Sequence, residues 1–291
     1  TFKILILDKF FAMRVFKLGG ASVRDAGAIR NLGRIVADEE LPLIVVVSAF
    51  GKTTNALEEV INAKYKSRAD SLALLEALYE KHLGVVKDLG LADTGMDLFL
   101  VNVFERLKKY LIDSPASDYD RDYDQVVSAG ELWSSRIIAS YLNREVHKCE
   151  WIDIRNVLLT DNRFRDATVL WHESEERVRS VFGSGARSLF LTQGFIGGTH
   201  DGQCTTLGRD GSDYTAAILA NMLDASEVQV WKDVPGIMNA DPKWLDDAVA
   251  LEYLSDREAV QMSFSGAKVI HPKTIKPLHN KNIPLIVRSF I

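Results

Sequence analysis

The segment Thr205–Asp213, TTLGRDGSD, gathers hydroxyls, two glycines, one arginine and two acids directly before a helix-like stretch. Glycine at Gly208 and Gly211 lets backbone N–H groups approach an anion closely, and the positive end of the following helix adds potential there. An apolar strand precedes this turn and another follows its helix, so the spacing reads as a binding site for a phosphate or a carboxylate. The helix is expected to be one-sided, with Ala216, Leu219, Ala220 and Leu223 on its apolar face.

Further segments carry chemistry-bearing residues. Lys17-Leu18-Gly19-Gly20-Ala21-Ser22 lies at the exit of the first core strand. A lysine followed by two glycines suits a phosphate, the backbone approaching while the ammonium acts as a point charge; a solvated lysine beside a glycine turn is the plainer reading. Ser48–Asn55, SAFGKTTN, resembles the end of a P-loop, but the glycine required five residues before Gly51 is Val46, so the motif is excluded. Its hydroxyls, Thr54 among them, can still line a cleft at a strand's carboxyl end. Ser128-Ala129-Gly130-Glu131 has the spacing of a helix capping box, as does Ser255-Asp256-Arg257-Glu258. Finally, Trp231–Pro242 and Gly266–Pro272 are turns rich in glycine and proline that carry Asp233, Gly236 and Lys268. His271 reads as structural.

The chain of 291 residues is long enough for one large α/β domain or two lobes. Its net charge of −5 provides no basic footprint for nucleic acid. Cys149 and Cys204 show no metal or redox spacing, which fits a reducing, cytoplasmic setting. No apolar run reaches the roughly 18 residues of a membrane span. Residues 1–12 lack a signal-peptide cleavage site, and Met13 is one candidate for the natural start, which would make 1–12 a non-native or upstream extension.

Short β-branched runs alternating with helical patterns predict βα units and a mainly parallel sheet. The expected strands are Met13–Phe16, Leu43–Ser48, Glu145–Ile152, Leu189–Gln193, Glu227–Trp231 and Pro284–Arg288. A helix is expected over Asp25–Glu39, a long helical insertion over Arg68–Tyr110 and a loop over Ser114–Asp124. Nothing divides the chain into separable domains.

Taken in order, these segments resemble the amino-acid kinase family and, within it, the aspartokinases. Those have K-F-G-G-[ST]-S, V-S-A, S-x-G-E-L, T-L-G-R-G-G-S-D, W-[ST]-D-V-P-G-I and G-A-K-V-x-H-P. The matching segments here are Lys17–Ser22, Val47–Ala49, Ser128–Leu132, Thr206–Asp213, Trp231–Ile237 and Gly266–Pro272. The resemblance implies a three-layer αβα sandwich, of the carbamate kinase-like type, over residues 13–291. An amino-acid lobe would span about 13–195 and a nucleotide lobe about 196–291.

The implied reaction is ATP + L-aspartate → ADP + 4-phospho-L-aspartate, the first step of the aspartate pathway to lysine, threonine and methionine. By the same resemblance, Lys17 would stabilise the transferred group with Gly19, Gly20 and Ser22, and Asp213 would orient Lys17. Arg209 would hold the substrate α-carboxylate, Glu131 its ammonium, and Ser48, Thr54 and Ser212 would add hydroxyls. Lys232, Asp233, Gly236, Lys243 and Lys268 would hold the nucleotide. Mg²⁺ would ride on the phosphates with no assigned protein ligand. No nucleic acid or membrane partner is implied.

Leu18, Ala21, Asp210, Lys232 and Met238 depart from the motifs. Asp210, where the family has glycine, would either pair with Arg209 or point to solvent. Aspartokinases usually continue into ACT domains that bind lysine or threonine and contribute to dimers. The chain is therefore expected to show no feedback inhibition, and any homodimer to be weakened. The competing readings are a kinase for glutamate, N-acetylglutamate, carbamate or UMP, or a non-catalytic sensor that kept the pocket.

Overall fold

The computed structural model describes residues 12–183, 188–233, 236–240, 245, 247–264 and 270–290. Near-continuous apolar runs make the strands. Arg14–Leu18 is β1 and Leu43–Val47 is β2; between them lies α1, Ala26–Ala37, whose N-terminal N–H at Ala28 is capped by the Asp25 carboxylate at 2.8 Å. Four more helices follow: α2 (Thr53–Lys64), α3 (Arg68–Asp88), α4 (Met96–Asp113) and α5 (Tyr119–Glu145). Next come β3 (Cys149–Ile152), α6 (Trp171–Phe182), β4 (Leu189–Gln193), β5 (Ile196–Gly198) and β6 (Cys204–Thr206). The chain closes with α7 (Gly211–Met222), β7 (Glu227–Lys232), α8 (Asp256–Phe264), α9 (Pro272–His279) and β8 (Leu285–Ser289).

The main sheet has six strands in the order β3-β4-β2-β1-β7-β8, all pairings parallel. Alternation along each strand divides its side chains between two layers. Phe16, Leu18, Val45, Val47 and Leu191 pack with α1 to α5, while Val15, Ile44, Val46, Phe190 and Val230 pack with α6, α7 and α9. The result is the expected αβα sandwich. No helix among the described residues is long and apolar enough to cross a membrane.

Several local expectations are corrected. The insertion is two helices, separated where Gly90 and Gly95 adopt φ of +68° and +72°. The expected loop at Ser114–Asp124 contains the start of α5, because Asp118 caps the Arg121 N–H at 3.1 Å. Glu145 ends α5 and does not begin β3. The antiparallel hairpin β5–β6 was not anticipated. Finally, α7 is buried on all sides, between the sheet, α6 and α9, so its apolar residues do not form one face.

Candidate active site

The carboxyl ends of β1 and β2 carry the first chemical groups. Lys17 belongs to β1 and is only 9% exposed. Successive side chains alternate, so Lys17 projects with Val15 toward α7, where Asp213 stands in the first turn. Its ammonium lies 2.6 Å from Asp213 Oδ1, off the direction of a good hydrogen bond, and Asp213 is itself buried. The solvated-lysine alternative is therefore excluded. Lys232, at the end of β7, reaches the other oxygen of the same carboxylate, Oδ2, at 3.8 Å.

Glycines bring the surrounding loops together. Gly20 is where the β1 loop meets the β2 loop: a Cβ there would sit 2.7 Å from the Gly51 carbonyl oxygen and 2.8 Å from that of Ala49. The Gly51 N–H donates to the Gly20 carbonyl at 3.0 Å. At Gly19 an added Cβ would lie 3.4 Å from the Lys17 ammonium. Ser22, expected at a phosphate, donates its hydroxyl to the Trp231 carbonyl at 3.2 Å, tying this loop to β7. Ser48 and Ser212 lie Oγ to Oγ at 3.0 Å, joining the end of β2 to the start of α7. That closure depends on Gly194, which sequence reasoning missed: its Cβ would fall 2.6 Å from Ser212 Cβ.

The long helix α5 passes the end of β2, with Ser134 Oγ donating to the Ser48 carbonyl at 3.0 Å. Ser128 and Glu131 both lie well inside it, so the capping reading fails there; Ser128 donates to the Gln125 carbonyl. At Ser255 the same spacing does make a reciprocal cap, with Ser255 N–H reaching Glu258 Oε2 at 2.9 Å and Glu258 N–H reaching Ser255 Oγ at 3.3 Å. Glu131 is buried, and burial pushes its carboxyl up to about 8, against the opposing influence of the Ala49 backbone and Lys17. Its Oε2 has no hydrogen-bond partner.

Residues of α5 also hold the turn that leads into α7. Asp124 accepts from the Thr206 N–H at 2.8 Å, the Thr206 hydroxyl at 2.7 Å and the Arg165 N–H at 3.0 Å. Burial raises its carboxyl to about 6 despite those bonds. Gln125 grips Cys204 through both amide atoms. Lys273 of α9 bonds the Leu207 carbonyl at 3.1 Å and Asp166 at 2.6 Å. The chain then turns at Gly208 (φ +74°) and at Asp210 (φ +54°), the N-cap of α7. Aspartate is among the few residues other than glycine that tolerate this region, which lets it stand at this position. Asp210 Oδ2 lies 3.8 Å from Arg209 Nε, and the Arg209 side chain is 77% exposed.

A cavity of about 390 Å³ opens here, lined by Lys17, Ser48, Thr54, Arg209, Ser212 and Asp213 together with Thr206 and Asp210. Tyr123, Arg165 and Phe195 complete the wall, the Arg165 guanidinium stacked 4.5 Å over the Tyr123 ring. No sequence signal marked these three, since only the fold brings them to the turn. Glu131, Gly19, Gly20, Ser22 and Lys232 do not line this cavity.

On the other flank Asp233 is exposed and Gly236 is buried against Ala250, where Met238 and Ala250 form an antiparallel bridge. Lys243 and Lys268 lie outside the described residues. His271 caps α9 by accepting from the Lys273 N–H, a structural role. Among the described residues no group of three or more His, Cys, Asp or Glu could hold a metal ion. Asp213 already faces two ammoniums, so the residues here fit Mg²⁺ carried on phosphates and not a cation held by the protein alone.

The family model described as the amino acid kinase family matches residues 12–289. The chain is 36% identical over 285 residues to the chloroplastic bifunctional aspartokinase/homoserine dehydrogenase 2 of Arabidopsis thaliana, covering 94% of this chain and 31% of that protein. It is 34% identical over 280 residues to lysine-sensitive aspartokinase 3 of Escherichia coli strain K12, covering 94% of this chain and 61% of that one. The crystal structure of E. coli aspartokinase III in complex with aspartate and ADP (R-state) superposes with a TM-score of 0.83 at 32% identity, over 96% of this chain and 62% of that one. Carbamate kinase from Giardia lamblia bound to AMP-PNP, at 11% identity and a TM-score of 0.56, shares the fold alone over 96% of this chain and 92% of that one. The chain thus spans less than two thirds of the length of the aspartokinases it matches. With a family match across nearly its whole length, this chain belongs to the amino acid kinase family, and the relatives it lies among there are aspartokinases.

Proposed function

We propose that this chain transfers the γ-phosphoryl group of ATP to the side-chain carboxylate of L-aspartate, giving ADP and 4-phospho-L-aspartate. The carrying observation is the Lys17 ammonium, held by Asp213 at the wall of a polar cavity. The E. coli relative crystallised with aspartate and ADP supports the choice of substrates. The product would open the aspartate pathway to lysine, threonine and methionine.

The nucleophile needs no base, because a carboxylate is already ionised at neutral pH, with an unperturbed pKa near ~3.9. One of its oxygens bonds to the γ-phosphorus as the bond from that phosphorus to the β,γ-bridging oxygen breaks, the electron pair leaving with ADP. Catalysis then rests on positioning and on neutralising the equatorial oxygens. Lys17 would face those oxygens, with the N–H groups of Gly19 and Gly20 assisting. Asp213 fixes Lys17. Arg209 swings in from solvent to take the α-carboxylate, where its fork suits two oxygens. Glu131 accepts the α-ammonium from behind the cavity, supplying the partner that its buried Oε2 lacks. Ser48, Ser212 and Thr54 add hydroxyls, and Ser22 holds the glycine loop on β7. Asp233, Gly236, Lys243 and Lys268 belong to the nucleotide side, and Mg²⁺ bound to the phosphates would supply further charge neutralisation. An amino-acid lobe up to about residue 195 and a nucleotide lobe beyond it share the one sheet.

ADP release measured with aspartate, glutamate, N-acetylglutamate, carbamate and UMP as acceptors tests the reading. Aspartate alone should support turnover, and Lys17→Ala should abolish it with the fold intact. Turnover with another acceptor, or with none, would overturn it.

A further inference from the structure

We infer that Lys232 is a second phosphate-directed cation, paired across Asp213 with Lys17, and that it makes the site selective for the length of the nucleotide's phosphate chain. The inference rests on the reading of the site as an ATP site and adds a residue-level source of phosphate affinity. In the motif that this segment resembles, serine or threonine stands where this chain has Lys232.

Geometry puts the side chain beside the cavity, on the same carboxylate as Lys17. In the register of β1 against β7, Lys17 faces Val230, so Lys232, two residues on, projects from the same face of the sheet as Lys17. Each ammonium takes one oxygen of Asp213, Lys17 at 2.6 Å and Lys232 at 3.8 Å. Lys232 therefore stands farther from the shared carboxylate than Lys17 does, on the side toward β7.

Its backbone is already fixed. The neighbouring Trp231 carbonyl accepts the Ser22 hydroxyl, and the Lys232 carbonyl accepts the Phe290 N–H at 3.1 Å. Pinned on both sides, the strand fixes where the Lys232 stem leaves the sheet.

Asp210 and Asp233 also act on Lys232, so it is the closeness of the two ammoniums to each other, and not an excess of positive charge, that favours an anion between them. Two lysines share one Asp213 carboxylate beside the N-terminus of α7, whose dipole adds positive potential. Burial holds the Lys232 ammonium below its ordinary range; Asp213, Asp210 and Asp233 oppose that shift and Lys17 adds to it. Glu131, the other buried acid near Lys17, is raised by burial and carries little negative charge at neutral pH. A polyphosphate tail arriving between the two ammoniums relieves their repulsion, and a longer tail meets more of the second charge.

Equilibrium binding of ATP, ADP and AMP, measured by calorimetry without aspartate, tests this in the wild type and in Lys232→Ser, Lys232→Arg and Lys232→Met. The serine variant should lose roughly tenfold or more in affinity for ADP and ATP and less than about threefold for AMP, the scale of a lost charged hydrogen bond. Arginine should retain most of the affinity. The methionine variant keeps the aliphatic stem and should behave as serine does, which covers a failure of Lys232→Ser to fold. Equal losses for all three nucleotides, or none, would mean that Lys232 is only a counter-ion of Asp213 and would overturn the inference. If the kinase reading alone were wrong, the ATP/AMP split would persist while aspartate produced no ADP. If this inference alone were wrong, the split would vanish while turnover remained.

Discussion

Lys17 and Asp213 meet through a single 2.6 Å contact between β1 and α7, yet the two residues are not equally provided for. Asp213 faces a second ammonium, Lys232, across its other oxygen, whereas Asp213 is the carboxylate in contact with Lys17. Removing one partner of a buried pair strands the other charge and costs about 3–5 kcal/mol. Asp213→Asn should therefore approach that cost, while Lys17→Ala should cost clearly less. Urea denaturation of the two variants checks the order; a larger loss for Lys17→Ala would contradict it.

Glu131 links substrate binding to pH. Its carboxyl titrates at about 8, above its ordinary 4.5, because it is buried. A raised folded-state pKa gives stability that is complete below the ordinary value and is lost as pH rises toward 8. Glutamine has no such proton to lose. Glu131→Gln should therefore melt at a higher temperature than wild type at pH 8 and match it at pH 4, while losing affinity for aspartate. Binding the substrate ammonium requires the ionised form, so the KM for aspartate should fall by up to about tenfold per pH unit below 8 and then level off. A KM that stays flat between about pH 6 and 8 would remove Glu131 from the ammonium site.

Asp210 competes for Arg209. The contact is long and exposed, a class of pair whose strength is about 0.2–1 kcal/mol. Asp210→Gly frees Arg209 and suits the left-handed φ of +54°. The KM for aspartate should drop by less than about fivefold with kcat unchanged. An unchanged or higher KM would show that the pair does not oppose the substrate.

Gly194 sets the closure of α7 on β4. A methyl there meets Ser212 Cα at 2.7 Å, which no rotamer change relieves. Gly194→Ala should cost about 1–3 kcal/mol of stability. By parting Ser48 from Ser212 it should also depress kcat/KM at temperatures where the variant is fully folded. Loss of stability with full activity would separate the serine pair from the site.

The strands were legible because a run such as LIVVV, buried on both faces, has few other places to go. The Lys17–Ser22 and Thr206–Asp213 segments were legible because one sets a lysine before paired glycines at a strand end and the other sets glycines, an arginine and acids before a helix. What escaped depended on long-range packing. Ser128 and Ser255 begin identical patterns, and only the origin of α5 at Asp118, within a polar run, separates buried helix interior from cap. The three-residue strands of β5–β6 exist because Asp124 and Gln125 hold them from α5. Arg165, Tyr123 and Gly194 reach the cavity or its closure by the same route, with no local pattern to announce them.

The product itself gives the most direct test. An aspartyl phosphate is a mixed anhydride that hydroxylamine intercepts, forming aspartyl hydroxamate and releasing phosphate. Incubated with ATP, Mg²⁺, L-aspartate and hydroxylamine, the chain should form hydroxamate and ADP in equal amounts, and Lys17→Ala should form neither. ADP without hydroxamate, or hydroxamate formed equally well by folded Lys17→Ala, would contradict phosphoryl transfer to aspartate at this site.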